Sequence, residues 1–386
     1  MNFPRNFRKM TPSDRRQWLA DSVGQPDLLD APTASAHYLN MADTLVENSV
    51  GIVGIPLGVA CGFMIDGKEY AIPLATEEPS VIAAASFAAT IIAHGGGFVT
   101  SATDPIMECT VYVENADAQM RQHIESMRDE LEFGLVKLLH SMSRRGGGFR
   151  SLDILEMSSI PMLKIVCAID VRDAMGANLL NTCAESIAGK LSNTLGINPV
   201  MGILTNNAGQ RRARAECRLS ASRAAMLCRG MFSGGECMRR FELASMIAHH
   251  DKDRAVTHNK GIMNGISALA LATLNDTRAV EAAAHAWAQR DGAYRGLSVF
   301  APDGDALVCS LDMPLPFATI GGSTGTHPTA QFCLDLLHNP SSPHLARIAA
   351  SVGLAQNIAA VAALISTGIQ KGHMPLHHKK NRTAKE

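Results

Sequence analysis

The stretch MLKIVCAIDVRDAMGANLLNTCAESIAGKLSNTLG (residues 162–196) joins an apolar run to a more polar segment that contains several small residues. The first ten residues are typical of a buried strand, and the residues from Asp173 to Gly196 are typical of a helix. Upstream, ECTVYVEN (108–115) alternates like a second strand, and residues 117–142 have the pattern of a charged amphipathic helix that a GGG triplet ends. This alternation of strands and helices predicts a separate α+β module from about residue 105 to 208.

Helices dominate the sequence before this module. Residues 11–30 predict an amphipathic helix, and Asp66 with Gly67 predicts a hairpin turn between the apolar run at 50–65 and the strand KEYAIPLA. The stretch EEPSVIAAASFAATIIAHGGG (77–97) predicts one helix, with a proline in its first turn and three glycines at its end. After the module the chain returns to long alanine-rich helices and ends in a basic tail.

The composition bounds the class of protein. The 386 residues are 46% hydrophobic and 18% charged, with a formal net charge of −1, which is typical of a globular, oligomeric enzyme and argues against a nucleic-acid binder. Nine cysteines without a CxxC or Cys/His cluster favour a reducing cytoplasm and indicate no metal site. The N-terminus lacks the apolar segment of a secretory signal, and glycines and Pro56 interrupt the longest apolar run. The sequence therefore predicts a soluble cytoplasmic protein with no membrane span.

Four short stretches place polar groups where alanine-rich helices are predicted to begin: ATEEPS (75–80), DAMGAN (173–178), THNKGIMNG (257–265) and LND (274–276). The start of a helix presents unpaired N–H groups and the positive end of the helix dipole. It therefore binds anions and alters the acidity of nearby groups. The candidates for chemistry in these stretches include Glu78, Lys260 and Asp276.

Each candidate also has a purely structural interpretation. Glu78 could simply favour the helix dipole, Asp276 could be an N-cap, and Lys260 could be a solvated charge. His373 could belong only to the basic tail. DAMGAN lacks the GxGxxG order of a Rossmann turn; its small residues could admit a phosphate or could serve helix packing. The residues alone leave these interpretations open.

Taken together and in order, the motifs resemble those of 3-hydroxy-3-methylglutaryl-coenzyme A (HMG-CoA) reductases, in particular the soluble bacterial class (class II). The matching stretches are ENSVGIVGIPLGVA (47–60), EEPSVIAAAS (77–86), DAMGANLLNT (173–182), THNKGIMNGI (257–266), ATLNDTRAVEAAAHA (272–286) and QKGHM (370–374). They extend from residue 47 to residue 374, and several independent motifs in the family order make the resemblance specific.

The resemblance implies an α+β fold with a large, helix-rich dimerisation and substrate domain. A small ferredoxin-like domain that binds NAD(P) would be inserted in it. The implied parts are a large domain in two segments (1–104 and 209–368), the inserted domain (105–208) and a short C-terminal catalytic tail (369–386). In the family the active site lies between the subunits of a homodimer. The sequence leaves open whether dimers assemble further.

The resemblance also implies the catalytic residues, which are Glu78, Lys260, Asp276 and His373. Reduction of a thioester to an alcohol takes two hydrides, and each attack puts negative charge on the carbonyl oxygen, which a cation such as Lys260 would stabilise. Asp276 would hold that lysine by charge and hydrogen bond. Glu78 would protonate the aldehyde oxygen. His373 would protonate the departing coenzyme A thiolate, since imidazole titrates close to neutral pH.

Binding residues follow from the same motifs. The cofactor, NADP(H) or NAD(H), would meet Asp173, Met175, Gly176, Ala177, Asn178, Asn181, Arg144 and Arg145. The substrate, including its coenzyme A part, would meet Ser80, Asn206, Arg254, Asn264 and Arg8. Arginine suits the substrate carboxylate as a bidentate donor, which is why Arg254 is assigned to it. Arg8 could equally be one basic residue of a basic terminus.

Two departures from the family pattern matter. The chain stops at Glu386, soon after His373, so we expect the C-terminal helical flap of bacterial members to be short or missing. The segment LLHSMSRRGGG (138–148) has no acid at the position that selects NAD and carries Arg144 and Arg145 instead. These arginines favour NADPH, with NADH as a working alternative, or they are solvated charges at a helix end.

Two other functions compete with an HMG-CoA reductase. A coenzyme A thioester-binding paralogue with weakened catalysis would fit the missing flap, but the presence of all four catalytic residue types opposes it. A lyase that forms a Schiff base on Lys260 would need an uncharged lysine, whereas Asp276 should keep it charged. The sequence does not decide whether mevalonate is made or consumed.

Overall fold

The structure is a computed structural model that describes residues 9–23, 36–114, 117–322, 324 and 327–369. The chain divides into two compact units, Met1–Pro56 and Leu57–Glu386. The first unit contains α1 (Pro12–Val23) and α2 (Ala36–Leu45). The Arg15 guanidinium lies 2.7 Å from Asp43 Oδ1 and ties the two helices together. The predicted helix over 11–30 is confirmed as far as Val23, and residues 24–30 lie outside the described part of the chain.

The second unit starts with the predicted hairpin. Strand β1 (Leu57–Ile65) pairs antiparallel with β2 (Lys68–Ala75), and Asp66 and Gly67 have the positive φ angles of 47° and 78° that a tight two-residue turn requires. Helix α3 (Val81–Ala93) follows, and then β3 (Val99–Ala102). The helix starts later than the sequence predicts, because Ser80 has a left-handed φ of 75° and breaks the helical path after Pro79.

A βαββαβ module occupies the middle of the chain. Its elements are β4 (Ile106–Glu114), α4 (Ala118–Ser126), α5 (Arg128–Leu138), α6 (His140–Ser143), β5 (Gly148–Glu156), β6 (Met162–Asp170), α7 (Ala177–Leu195) and β7 (Met201–Leu204). The antiparallel sheet has the order β5-β6-β4-β7, which is the ferredoxin-like arrangement. The predicted single helix over 117–142 is instead three helices, because the backbone leaves the helical path at the buried residues Met127 and Leu139.

The rest of the chain combines helices with strands that the sequence analysis missed. The elements are β8 (Arg212–Ser220), α8 (Ala221–Leu227), α9 (Gly234–His250), α10 (Lys252–Ala272), α11 (Thr277–Ala288), β9 (Ser298–Asp303), β10 (Ala306–Pro314), α12 (Pro328–Leu336) and α13 (Ser342–Ile365). Strands β8, β9 and β10 join β3 in a second antiparallel sheet of order β3-β8-β10-β9. Together with the ferredoxin-like sheet, this confirms the α+β class.

The stretch THNKGIMNG does not precede a helix, and that prediction is wrong. It lies in the middle of α10, which begins after Asp251, whose side chain accepts the N–H groups of Asp253 and Arg254. A glycine in a helix interior is unfavourable by about 1 kcal/mol, but tertiary packing overrides this preference here. A Cβ on Gly265 would lie 2.8 Å from Val352 of α13, and one on Gly353 would lie 2.6 Å from Ile266. The two glycines therefore let α10 and α13 cross in close contact.

Helix α13 is the centre of the larger core. It is long and apolar enough to cross a membrane by length and composition, but 78% of its most apolar stretch is buried inside the protein. The larger core joins α13 to the hairpin, α3, the second sheet and α8 to α12. A separate core lies mainly between the ferredoxin-like sheet and α4, α5 and α7. The domain boundaries at residues 104, 208 and 368 stay a prediction.

Candidate active site

The centre of the site is an ion pair between two of the predicted catalytic residues. Lys260 Nζ, on α10, lies 3.0 Å from Oε2 of Glu78, in the loop before α3. The Glu78 backbone N–H is held by Thr76 Oγ1 at 3.2 Å. The two side chains stay 62% and 41% exposed, and an ion pair this accessible contributes little to stability. This contact with a second functional side chain is explained neither by a lysine that is only a solvated charge nor by a glutamate that only favours the helix dipole.

A cavity of about 420 Å³ opens beside the ion pair. It is lined by five of the predicted residues, namely Glu78, Ser80, Arg254, Lys260 and Asn264. Within the described part of the chain, the Arg254 guanidinium makes no hydrogen bond or ion pair, and partial burial lowers its pKa. A partly desolvated cation without a counter-ion is a suitable site for a carboxylate.

The cavity also has lining residues that the sequence analysis missed. His258 and Gln356 are almost fully buried, and each has a polar atom, Nδ1 and Oε1 respectively, without a hydrogen-bond partner among the described residues. Buried polar atoms are normally paired, so both atoms are candidates to meet a ligand. His258 is part of the THNKG motif and Gln356 of the stretch GLAQN, so their motifs were visible. Their unpaired atoms could not be read from sequence.

Asp276 lies away from the ion pair in the same chain. Its Oδ1 accepts the N–H of Ala279 at 3.0 Å and so caps α11, as the structural interpretation predicts. The Asn275 N–H donates to the carbonyl of Ala270, near the end of α10, which is about 15 Å along the helix from Lys260. Within one chain, therefore, no hydrogen bond or ion pair joins Asp276 to Lys260 in the described residues.

One further predicted residue lies away from the cavity, and two lie outside the described part of the chain. Asn206 is exposed, follows β7 and does not line the cavity. Arg8 and His373 lie outside the described residues. Their assigned roles stay predictions that rest on the motifs alone.

A second cavity, of about 310 Å³, lies next to the DAMGAN stretch. Asp173 and Arg145 line it, together with the unpredicted Arg172, whose buried Nε has no hydrogen-bond partner in the described residues. Arg144 is exposed and does not line it. Arg172 Nε also lies 3.9 Å from Asp170 Oδ1, so this guanidinium has a carboxylate neighbour. Two arginines at one cavity fit the phosphates of a dinucleotide.

The other predicted cofactor residues surround the start of α7. Gly176 caps this helix with a φ of 89°, and a Cβ there would lie 2.5 Å from Val171 Cγ1, so packing alone requires glycine. Asp173 Oδ1 accepts the N–H of Ser342 at 2.7 Å, and Asn181 Oδ1 accepts that of Leu204 at 3.0 Å. Met175 and Ala177 are half-buried and Asn178 is exposed. Asp173 and Asn181 thus have structural partners, and the roles of all six toward a cofactor stay predictions.

These features define a class of protein. A ferredoxin-like sheet module without a Rossmann turn accompanies a helix-rich part whose cavity holds a lysine–glutamate pair, and similarity to known proteins assigns this combination to the NAD(P)-dependent oxidoreductases. The chain belongs to the hydroxymethylglutaryl-coenzyme A reductase family, whose sequence model matches residues 11–378.

Individual relatives agree with this assignment. The chain is 38% identical to the 3-hydroxy-3-methylglutaryl-coenzyme A reductase of Archaeoglobus fulgidus over 96% of its own length and 84% of that protein. It is 34% identical to a probable reductase of Borreliella burgdorferi over 98% of its length and 86% of that protein. Among solved structures, the class II reductase of Streptococcus pneumoniae bound to NADPH matches with a TM-score of 0.81 and 39% identity, over 94% of this chain and 89% of that one.

Proposed function

We propose that this chain catalyses the interconversion of HMG-CoA and mevalonate plus coenzyme A, with mevaldehyde as the intermediate and NAD(P)H as the hydride source. The reduction consumes two hydrides and two protons and releases one coenzyme A thiol. The observation that carries the proposal is the contact between Lys260 and Glu78 at a cavity that also contains the unpaired Arg254.

Lys260 and Glu78 divide the chemistry at the carbonyl. The bound nicotinamide supplies the hydride. Lys260 stabilises the negative charge that develops on the carbonyl oxygen as the hydride arrives, because a cation held at that position favours the transition state over the ground state. Glu78, which lies 3.0 Å from the lysine, gives a proton to the aldehyde oxygen in the second reduction. Arg254 binds the free carboxylate of the substrate and so sets the thioester against the lysine.

Asp276 acts from the second subunit of a homodimer. Within one chain it caps α11, beyond the end of α10, whereas an active site between subunits, as in the family, brings residues of two chains together. Lys260 and Glu78 are also half-exposed, which leaves their outer side open to a partner. Asp276 of the partner subunit would keep Lys260 charged and oriented.

The remaining roles follow the motifs. His373 protonates the coenzyme A thiolate between the two reductions, so its replacement should slow reduction of HMG-CoA much more than reduction of free mevaldehyde. Arg145 and Arg172 hold cofactor phosphates beside the start of α7. The proposed location is the cytoplasm, and all nine cysteines are unpaired, as a reducing compartment favours.

The test is the absorbance of the nicotinamide band with HMG-CoA, run with NADPH and with NADH, together with detection of mevalonate and free thiol. Two equivalents of cofactor oxidised for each thiol released are the expected result. Binding of HMG-CoA with no cofactor oxidation would instead indicate a protein that only binds coenzyme A thioesters.

A further inference from the structure

His258 belongs to a buried polar chain that crosses from α10 to α13. Its Nε2 lies 2.6 Å from Ser298 Oγ, and the Ser298 hydroxyl donates to Oδ1 of Asn357 at 2.7 Å. The orientation of the Asn357 amide is fixed because its Nδ2 donates to the His258 carbonyl at 3.3 Å. All three side chains are buried.

This chain of hydrogen bonds determines which nitrogen of His258 carries the proton. The Ser298 hydroxyl has one hydrogen and gives it to Asn357, so Ser298 Oγ can only accept from His258. Nε2 therefore carries the proton, and Nδ1 presents a lone pair. Burial and the nearby charge of Arg254 lower the pKa of His258 to about 3, so the ring is neutral near pH 7.

The lone pair of Nδ1 lies on the side of the imidazole ring that faces away from Ser298 and Asn357. A Cβ on Gly296 would lie 3.3 Å from Cδ2 of His258, so that edge faces Gly296, and the opposite edge carries Nδ1. In the described residues Nδ1 has no hydrogen-bond partner, although His258 is 1% exposed and lines the substrate cavity.

We take Arg254 as the donor to this nitrogen. It precedes His258 by four residues on α10, which places the two on one face of the helix, and a helical side chain leans toward the preceding turn. Among the described residues, the Arg254 guanidinium is a partly buried donor group without an acceptor, and Nδ1 of His258 is a buried acceptor without a donor. Both residues line the same cavity.

We propose that His258 is a positioning residue for Arg254: its Nδ1 accepts one guanidinium N–H when the substrate carboxylate is bound, which leaves the other N–H groups aimed at the carboxylate. The inference rests on the proposed function, because it assigns Arg254 to the substrate carboxylate. A neutral histidine suits this role because a protonated one would repel the arginine. Ser298 and Asn357 keep the required tautomer.

Two substitutions test the roles of the two ring nitrogens of His258 individually. In His258→Asn the amide oxygen can occupy the position of Nδ1, whereas in His258→Gln the amide can reach the position of Nε2 and contact only Ser298. We expect His258→Gln to raise KM for HMG-CoA about tenfold with little change in kcat, since a hydrogen bond to a charged group is lost. His258→Asn should restore most of the affinity. KM for NADPH should not change in either variant.

Arg254→Gln supplies the decisive comparison. In that background His258→Gln should cause no further rise in KM, because the group that it positions is gone. If His258→Gln raises KM by the same factor in both backgrounds, or if His258→Asn is as impaired as His258→Gln, the inference is wrong and His258 is only structural. If Arg254→Gln itself leaves KM for HMG-CoA unchanged, the proposed carboxylate contact fails and the inference fails with it.

A spectroscopic measurement covers the case in which His258→Gln does not fold. In protein with ¹⁵N-labelled histidine, free 3-hydroxy-3-methylglutarate should shift the Nδ1 resonance of His258 toward that of a hydrogen-bonded acceptor. The same addition to Arg254→Gln, at a concentration that saturates it, should leave the resonance in place. An unchanged Nδ1 resonance in the saturated wild-type protein would overturn the proposal.

Discussion

Nζ of Lys260 lies 3.0 Å from the carboxylate of Glu78, although the lysine is in the middle of α10 and the glutamate is in the loop before α3. Helices α3 and α10 both pack against α13, so the pair is brought together by the larger core and not by a local turn. One chain thus supplies both the cation and the acid of the proposed reaction.

Replacement of the cation should abolish turnover. We expect Lys260→Ala to lower kcat for HMG-CoA reduction by at least about 100-fold, because the oxyanion loses its electrostatic partner. Lys252→Ala is the matched control: this exposed lysine at the start of the same helix does not line the cavity and should leave kcat unchanged. The measurement is the steady-state rate of NADPH oxidation. Activity of Lys260→Ala within tenfold of wild type would refute the assignment.

The origin of Asp276 can be tested by mixing two inactive proteins. If Asp276 serves the partner's lysine, a dimer of one Lys260→Ala chain and one Asp276→Asn chain contains one intact site. Co-expression in equal amounts should then restore about a quarter of the wild-type activity, because half of the dimers are mixed and each has one of two sites. Separately purified homodimers are the control. Absence of any recovery in isolated mixed dimers would place the aspartate and the lysine in one chain.

Cofactor preference should depend on one of the two neighbouring arginines. Arg145 lines the cavity beside DAMGAN and Arg144 does not. We expect Arg145→Ala to raise KM for NADPH roughly tenfold through loss of a charge-assisted hydrogen bond to phosphate, and Arg144→Ala to have little effect. Titration with adenosine 2′,5′-bisphosphate and with adenosine 5′-monophosphate would show whether the 2′-phosphate is the group concerned. Equal effects of the two substitutions would favour the interpretation as helix-end charges.

The crossing of α10 and α13 should be sensitive to a single methyl group. A Cβ on Gly353 would lie 2.6 Å from Cδ1 and 2.9 Å from Cγ1 of Ile266, so we expect Gly353→Ala to lower the free energy of unfolding by about 1–3 kcal/mol. Gly134 of α5 has no atom within 4 Å of a Cβ, and Gly134→Ala should raise that free energy by up to about 1 kcal/mol. Urea unfolding measures both. A neutral or stabilising Gly353→Ala would mean that the helices can move apart without loss.

The sequence predicts the residues of the site better than their surroundings. Its motifs indicate Glu78, Lys260 and Arg254, which do line one cavity, because residue types needed for chemistry stand out against an alanine-rich background. The position of THNKGIMNG was predicted wrongly because glycine is a local signal for a helix end, whereas here it serves contact between distant helices. Strand β8 was missed because its partners β3 and β10 are far from it in the chain, whereas β9 and β10 form a local hairpin around Gly304 that the sequence analysis overlooked.

Other features depend on three-dimensional packing and leave no mark in one sequence. Whether Nδ1 of His258 and Oε1 of Gln356 have a hydrogen-bond partner depends on the groups that the fold brings around them, and among the described residues neither atom has one. The separation of Lys260 from the Asp276 cap follows from α10 starting at Lys252 and continuing to Ala272, whereas the sequence analysis expected this helix to begin only after the THNKGIMNG stretch. Local patterns therefore indicated the identities of the functional residues but not their partners.

The Asp251 cap and the Gly265 contact stand at two points of one continuous helix, with Arg254, His258 and Lys260 between them. Insertion or deletion of a single residue in this interval would turn one end against the other by about 100°, so either the lysine would leave the cavity or the glycine would leave α13. A change in the length of this interval would therefore remove either the active site or the helix crossing, whichever residue is inserted or deleted.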